Sequence, residues 1–202
     1  MLFAIKIYDK PNSGALRDIG RQAHLDYLRK YEAQTSFAGP FLTEDGSKEL
    51  GSLRILDLPD RTAAERNVAE EPYIRVGAQE VWTIHRWSPS VPYTFRDCPR
   101  KQGHVQFLIQ ATDKLNQDQL RKAMQAEQQA YEEGHPDLYI TRGAMITDQG
   151  DQEIGSLMII DVPDLKTARI FWEKDPFHRC GLYDSIEFYR WRFGRAFDSI
   201  GS

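Results

Sequence analysis

His24 lies in the run Arg21-Gln22-Ala23-His24-Leu25-Asp26-Tyr27-Leu28. Arg17, Arg21 and His24 follow at spacings of four and three, which puts all three on one face of a helix. Two guanidiniums beside an imidazole disfavour a further positive charge on it, and a neutral ring is what a general base requires. The same spacing also fits a solvated polar stripe with no chemistry. A second feature is Glu71-Pro72-Tyr73. A carboxylate within reach of a histidine orients the ring and stabilises its protonated form; an acid–proline pair also simply ends helices. Arg75, just after that turn, suits a carboxylate or enolate oxygen of a ligand, or a structural ion pair. His85 is the alternative base, or a tolerated strand histidine. His178 and Cys180 form a His-x-Cys pair with no further ligand spacing, so no metal site is expected. His104 and His135 fall in loop contexts and read as surface residues. No phosphate-cradling glycine motif is present, which argues against nucleotide chemistry, and no cofactor is expected.

The chain repeats itself. Gly51-Ser52-Leu53 through Asp57-Leu58-Pro59-Asp60 returns as Gly155-Ser156-Leu157 through Asp161-Val162-Pro163-Asp164, an offset of 104 residues. The same offset pairs Asp9-Lys10 with Asp113-Lys114, Leu16-Arg17 with Leu120-Arg121, Gly39 with Gly143, Pro72 with Pro176, Arg75 with Arg179 and Arg86-Trp87 with Arg190-Trp191. No gap is needed, and roughly a quarter of the aligned positions are identical, the mark of a duplicated unit. The candidate chemistry is not duplicated with it. Gln128 stands at the position of His24, Gln125 at that of Arg21, and Arg142-Gly143-Ala144 at that of Ala38-Gly39-Pro40. Asp175 keeps the acid. Glutamine cannot shuttle protons at neutral pH, so the first copy is expected to be the active half. The second is then a structural partner with room to donate pocket residues.

The elements that must position these residues follow from periodicity. Phe3, Ile5 and Ile7 alternate, which is strand spacing. Pro11-Asn12-Ser13-Gly14 breaks that strand, and Leu16, Ile19, Ala23, Tyr27 and Tyr31 recur at helical spacing from Ala15 to about Ala33. A second strand is expected over Thr35–Ala38, with Gly39-Pro40 bending the chain after it. A third covers Leu50–Leu58. Asp60 is a plausible N-cap for a helix over Arg61–Glu70, which Pro72 ends. Ala78–Trp87 is the last strand. The second copy repeats the order with strands near 105–112, 138–142, 154–162 and 183–192 and helices near 118–133 and 165–174. The order βαββαβ is that of a ferredoxin-like α+β sandwich, with two helices on one sheet face. In the last strand Trp82 and Ile84 point one way and Thr83, His85 and Trp87 the other, so the bare face carries aromatic but polar-tipped side chains. The two bare faces are expected to meet, giving an intramolecular pseudo-dimer; two independent units, each pairing in trans, are the rival arrangement. The units are expected at 1–90 and 104–198, joined by a proline-rich, semi-rigid linker over 91–103.

Composition bounds the function classes. Of 202 residues, 26 are Lys or Arg and 30 Asp or Glu, a formal net charge of −4. That gives no basic field for nucleic acid. No stretch approaches a membrane span, and the apolar start meets Lys6, Asp9 and Lys10 too soon for a secretory signal. Cys98 and Cys180 fall at non-equivalent positions and read as free thiols of a reducing, cytoplasmic compartment.

These motifs together resemble the YCII-related (YciI-like) family. Its members carry R-x-x-H-L-x-x-L on the first helix, here Arg21-x-x-His24-Leu25-x-x-Leu28, and A-G-P after the second strand, here Ala38-Gly39-Pro40. They carry D-P-Y or D-P-F followed by a glycine, here Glu71-Pro72-Tyr73 with Gly77 and Asp175-Pro176-Phe177 with Gly181. The resemblance covers both copies. It implies a fold similar to the dimeric α+β barrel of muconolactone isomerase, and a catalytic His–acid pair, by position His24 and Glu71, with Glu in place of the family's Asp. It also implies lyase chemistry such as the dehydrochlorination of chlorinated hydroxyhydroquinones. The expected function is a cofactor-free lyase or isomerase in which His24 moves a proton on a small anionic or phenolic ring compound. Glu71 orients His24, and Arg17, Arg21, Pro40, Tyr73, Arg75 and His85 bind substrate. The alternative is a non-catalytic protein that binds a small metabolite or serves assembly. Neither nucleic acid nor membrane is an expected partner, and further homo-oligomerisation is left open.

Overall fold

The computed structural model describes residues 1–197, so the far boundary expected for the second unit, residue 198, lies outside the described residues. The first half runs β1 (Leu2–Asp9), α1 (Gly14–Lys30), β2 (Thr35–Leu42), β3 (Glu49–Asp57), α2 (Arg61–Glu70), the short α3 (Pro72–Arg75) and β4 (Gln79–Pro89). The second repeats it as β5 (Val105–Asp113), α4 (Asp118–Glu133), β6 (Tyr139–Ile146), β7 (Glu153–Val162), α5 (Leu165–Glu173), α6 (Pro176–Arg179) and β8 (Tyr183–Trp191). All strand pairs are antiparallel, and the eight strands close into one barrel in the order β1-β3-β2-β8-β5-β7-β6-β4. The halves join at two equivalent seams. At one, Phe41 pairs with Trp191; at the other, Met145 pairs with Trp87.

Alternation along the strands sorts the side chains into layers. In the first half Phe3, Ile5 and Ile7 point outward and pack with Leu56, Val68 and Ile84 beneath the helices. Phe107, Ile109, Ile160, Phe171 and Trp172 do the same in the second half. Ala4, Leu53, Ile55 and Trp87 point inward and meet Leu108, Leu157, Ile159 and Trp191. The faces expected to be bare therefore form the barrel interior. Part of that interior is charged: Lys6, 1% exposed, pairs with Glu187 across the barrel, and Tyr8 and Tyr189 also donate to Glu187.

Three local expectations change. β2 does not end before Gly39-Pro40; it continues through both to Leu42, with its register against β3 shifting beyond them only between Phe41 and Leu42. In β2 the carbonyl of Pro40 faces the seam and accepts from Arg192 N at 3.3 Å. Its missing N–H faces the same side, outside the β3 ladder, so proline costs no ladder bond there. At Gly39 a Cβ would lie 1.9 Å from the backbone oxygen of Arg192, so only glycine admits the crossing chain. Pro72, expected only to end α2, instead opens α3 at its first position, where a proline lacks only an N–H that the helix would leave unpaired. The segment between the halves is also more than a spacer. Phe95 is fully buried, its N–H bonds Ser36 O at 2.8 Å, and its ring meets Phe197 at 4.9 Å. The Asp60 cap forms as expected, accepting from Ala63 N at 2.7 Å. Among the described residues no helix is long and apolar enough to cross a membrane.

Candidate functional site

The site lies on the outer side of the first half, between α1 and strands β2 and β3. Glu71 is placed by its own backbone role. It caps α3, its Oε1 accepting from Tyr73 N at 3.2 Å, which aims the carboxylate back under α1. There His24 Nδ1 meets Glu71 Oε1 at 2.7 Å, and Arg54 Nη1 from β3 donates to Glu71 Oε2 at 2.7 Å. Glu71 is 1% exposed. Burial pushes its carboxyl up, but the Arg54 guanidinium and the His24 ring outweigh burial and hold it below its ordinary value. The His24 ring stacks on Tyr73 with centroids 4.1 Å apart and planes at 17°, and Arg17 lies 4.6 Å over the same tyrosine ring. Burial pushes the Tyr73 phenol up, opposed by Arg17 and Arg21.

In front of His24 opens a pocket of about 760 Å³, its mouth included. Its walls include Arg17, Arg21, His24, Leu25 and Leu28 of α1, Ala38, Gly39 and Pro40 of β2, Ser52 and Arg54 of β3, and Tyr73. Glu49, Arg192, Gly194 and Arg195 complete it. Among the expected site residues, Arg17, Arg21, His24, Pro40 and Tyr73 meet here, with Glu71 directly behind His24. Arg75 and His85 do not line the pocket. Arg75 turns back to Ala69 O at 3.4 Å. His85 faces the barrel interior, where burial, with Lys6 and Arg61 nearby, pushes its pKa down. The pocket opens on the helix side of the sheet, the opposite face from His85. Arg17 itself is scaffold as much as wall: Asp9 holds it with two bonds of 2.9 and 2.7 Å, and Glu49 with a third of 2.5 Å.

Four contributors escape the motif reading. Arg54 carried a signal: it is a lone charge in an apolar strand run, and it interrupts a repeat that is otherwise Gly-Ser-Leu-x-Ile, with Met158 in the second copy. Glu49 recurs as Glu153 and looks structural. Arg192 and Arg195 arrive from the end of the second half, so nothing local to the first half points to them.

At the equivalent place in the second half the ground beside the acid is filled, while an outer cleft remains between Arg121, Gln125 and Glu153, the counterparts of Arg17, Arg21 and Glu49. Gln128 donates to Asp175 at 2.9 Å and accepts from Phe177 N at 3.1 Å, which uses both ends of its amide. Burial pushes the Asp175 carboxyl up, against the Gln128 bond, the reverse of Glu71. Arg142, at the position of pocket-lining Ala38, pairs with Glu132, at that of Leu28, at 2.8 Å. This ion pair occupies the ground that is open space in the first half.

The architecture is that of a dimeric α+β barrel drawn into one chain, with the His24–Glu71 pair at the wall of a pocket. The chain belongs to the YCII-related family, whose domain matches residues 1–88 and 105–192. Among solved structures it is similar to 5-chloro-2-hydroxyhydroquinone dehydrochlorinase from Burkholderia phenoliruptrix AC1100 in complex with 2,5-dihydroxybenzoquinone. That match has 28% identity over 44% of this chain and 94% of the other, with a TM-score of 0.41. It is similar over 98% of its length to chlorite dismutase from Candidatus Nitrospira defluvii in complex with imidazole, with 9% identity, 92% of that chain covered and a TM-score of 0.61. A heme-binding protein from Thermus thermophilus matches 96% of this chain and 92% of its own, at 11% identity and a TM-score of 0.57. The last two share the fold with this chain, and their ligands are their own. No curated protein matches the chain.

Proposed function

We propose that this protein is a cofactor-independent lyase or isomerase acting on small cyclic or aromatic-derived compounds by general acid–base catalysis. The observation that carries this reading is the 2.7 Å contact between His24 Nδ1 and Glu71 Oε1 at the wall of an open pocket. A carboxylate on Nδ1 keeps the proton there and leaves the Nε2 lone pair as the base. When Nε2 takes a proton from a carbon next to a carbonyl, the electron pair moves into that carbonyl as an enolate. The imidazolium that forms is stabilised by Glu71. Arg54 keeps Glu71 ionised, so the proton stays on the ring. Collapse of the enolate with loss of halide, or of hydroxide protonated by Nε2–H to leave as water, completes an elimination. Return of the proton to another carbon completes an isomerisation. Guanidiniums around the pocket favour an anionic or phenolic substrate and the charge that develops on its oxygen. Two unpaired thiols, Cys98 and Cys180, support a reducing, cytoplasmic setting.

General acid–base catalysis contributes roughly 10²–10⁴-fold, so the histidine is testable by its loss. A panel of halogenated and hydroxylated ring compounds would be followed by halide release and ultraviolet absorbance. The wild-type protein is expected to turn over at least one of them. His24→Gln, the residue that the second half carries, is expected to lose roughly 10²-fold or more while keeping its fold. Turnover by His24→Gln within a few-fold of wild type would end the proposal.

A further inference from the structure

The arginines around the pocket do not balance. Arg17 has Asp9, Arg54 has Glu71, Arg21 has Asp18 at 2.5 Å, and Arg192 has Glu49. Arg195 lines the same pocket, and among the described residues no carboxylate lies within ion-pair distance of it. Arg54 adds a second mismatch. It is 2% exposed, and its Nε and Nη2 are buried with no hydrogen-bond partner among the described residues. Buried donors without acceptors are costly, and both nitrogens are shut off behind the pocket wall. The chain as a whole carries a net charge of −4, so this local excess of one positive charge is not a reflection of composition.

The source of that charge is the second half. After β8 the chain crosses the seam, with Gly194 N bonded to Ala38 O at 2.9 Å, and this crossing delivers Arg192 and Arg195 to the first half's pocket. The reciprocal crossing after β4, with Ser90 N bonded to Arg142 O at 2.9 Å, delivers Ser88 and Val91 at the equivalent positions. At these two positions the exchange is one-way: the pocket beside His24 receives two guanidiniums, and the equivalent positions facing the second half carry a serine and a valine.

We infer that the second half completes the site in the first, with Arg195 and Arg192 anchoring the single negative group of a monoanionic substrate, a carboxylate or an ionised hydroxyl on a ring. This rests on the acid–base reading of His24 for turnover, but not for binding. The two are separable by isothermal titration calorimetry of the full chain with two probes, 2,5-dihydroxybenzoate as the anion and its methyl ester as the neutral form. Wild type is expected to bind the anion at least tenfold tighter than the ester, with a preference that falls as salt rises. Arg195→Val, the residue the first half presents, is expected to lose roughly 10- to 100-fold in affinity for the anion and little for the ester. His24→Gln is expected to keep that preference while losing turnover. Arg195→Val and Arg192→Ser binding the anion as wild type does would overturn the inference. So would a wild type that prefers the ester, or that binds neither probe at millimolar concentration. Arg195 is exposed and off the seam ladder, so an unchanged urea midpoint in Arg195→Val separates lost affinity from lost fold.

Discussion

Glu71 is bound on both oxygens, to His24 and Arg54, in a place where water cannot substitute for either. Replacing it with glutamine leaves the Arg54 guanidinium buried without a counter-charge, and breaking a buried pair from one side costs about 3–5 kcal/mol. Glu71→Gln is therefore expected to lower the urea midpoint sharply at neutral pH. The folded-state pKa of Glu71 is held below its ordinary value, so its contribution is present above the unfolded-state pKa and is lost as pH falls through the folded one. The stability gap between wild type and Glu71→Gln should accordingly narrow as pH drops below about 4.5. A gap that stays constant down to acid unfolding would mean that the carboxylate is not ionised in the folded protein. Among these residues, His24 and Glu71 were legible because each sits in a short motif that the sequence displays, Arg21-x-x-His24-Leu25 and Glu71-Pro72-Tyr73. Arg54 was visible only as a mismatch between copies, and its partner could not be inferred because strand and turn meet only in the fold.

At the level of elements, the strands and long helices were legible from period and turn residues, since amphipathic alternation decides which face is buried. The short helices α3 and α6 were not, because four residues carry no period. Proline misled in β2: its cost depends on which side of the strand its missing N–H faces, and that is set by a partner strand from the other half. The duplicated glycines, Gly39 and Gly143, are where this shows most clearly. A Cβ at Gly143 would lie 2.1 Å from the Ser88 backbone oxygen, as one at Gly39 would lie 1.9 Å from that of Arg192. Gly39→Ala and Gly143→Ala are each expected to cost about 3 kcal/mol or more, since the obstacle is backbone that cannot rotate away. Thermal unfolding of the two variants checks this. A loss below about 1 kcal/mol in both, the low end for overpacking, would show that the seams tolerate separation.

For the whole molecule, closure of the barrel gives each strand a neighbour on both sides, through short seams, and makes each half a structural requirement of the other. The Lys6–Glu187 pair, spanning the barrel from one half to the other, adds a charged contact that only the matched arrangement satisfies. Burial lowers the Lys6 pKa, with Glu187 pulling it back up. Duplication was plain from the sequence, and so was the loss of the histidine in the second copy. What that loss did to the surrounding space was not, because it depends on Arg142 and Glu132 closing on one another in three dimensions. That closure has a countable consequence. With the ground beside Asp175 taken by an internal ion pair, and among the described residues no imidazole or first-half guanidinium lining the cleft that remains, a calorimetric titration with 2,5-dihydroxybenzoate should reach its equivalence point at one molecule per polypeptide, whereas two like halves would take up two.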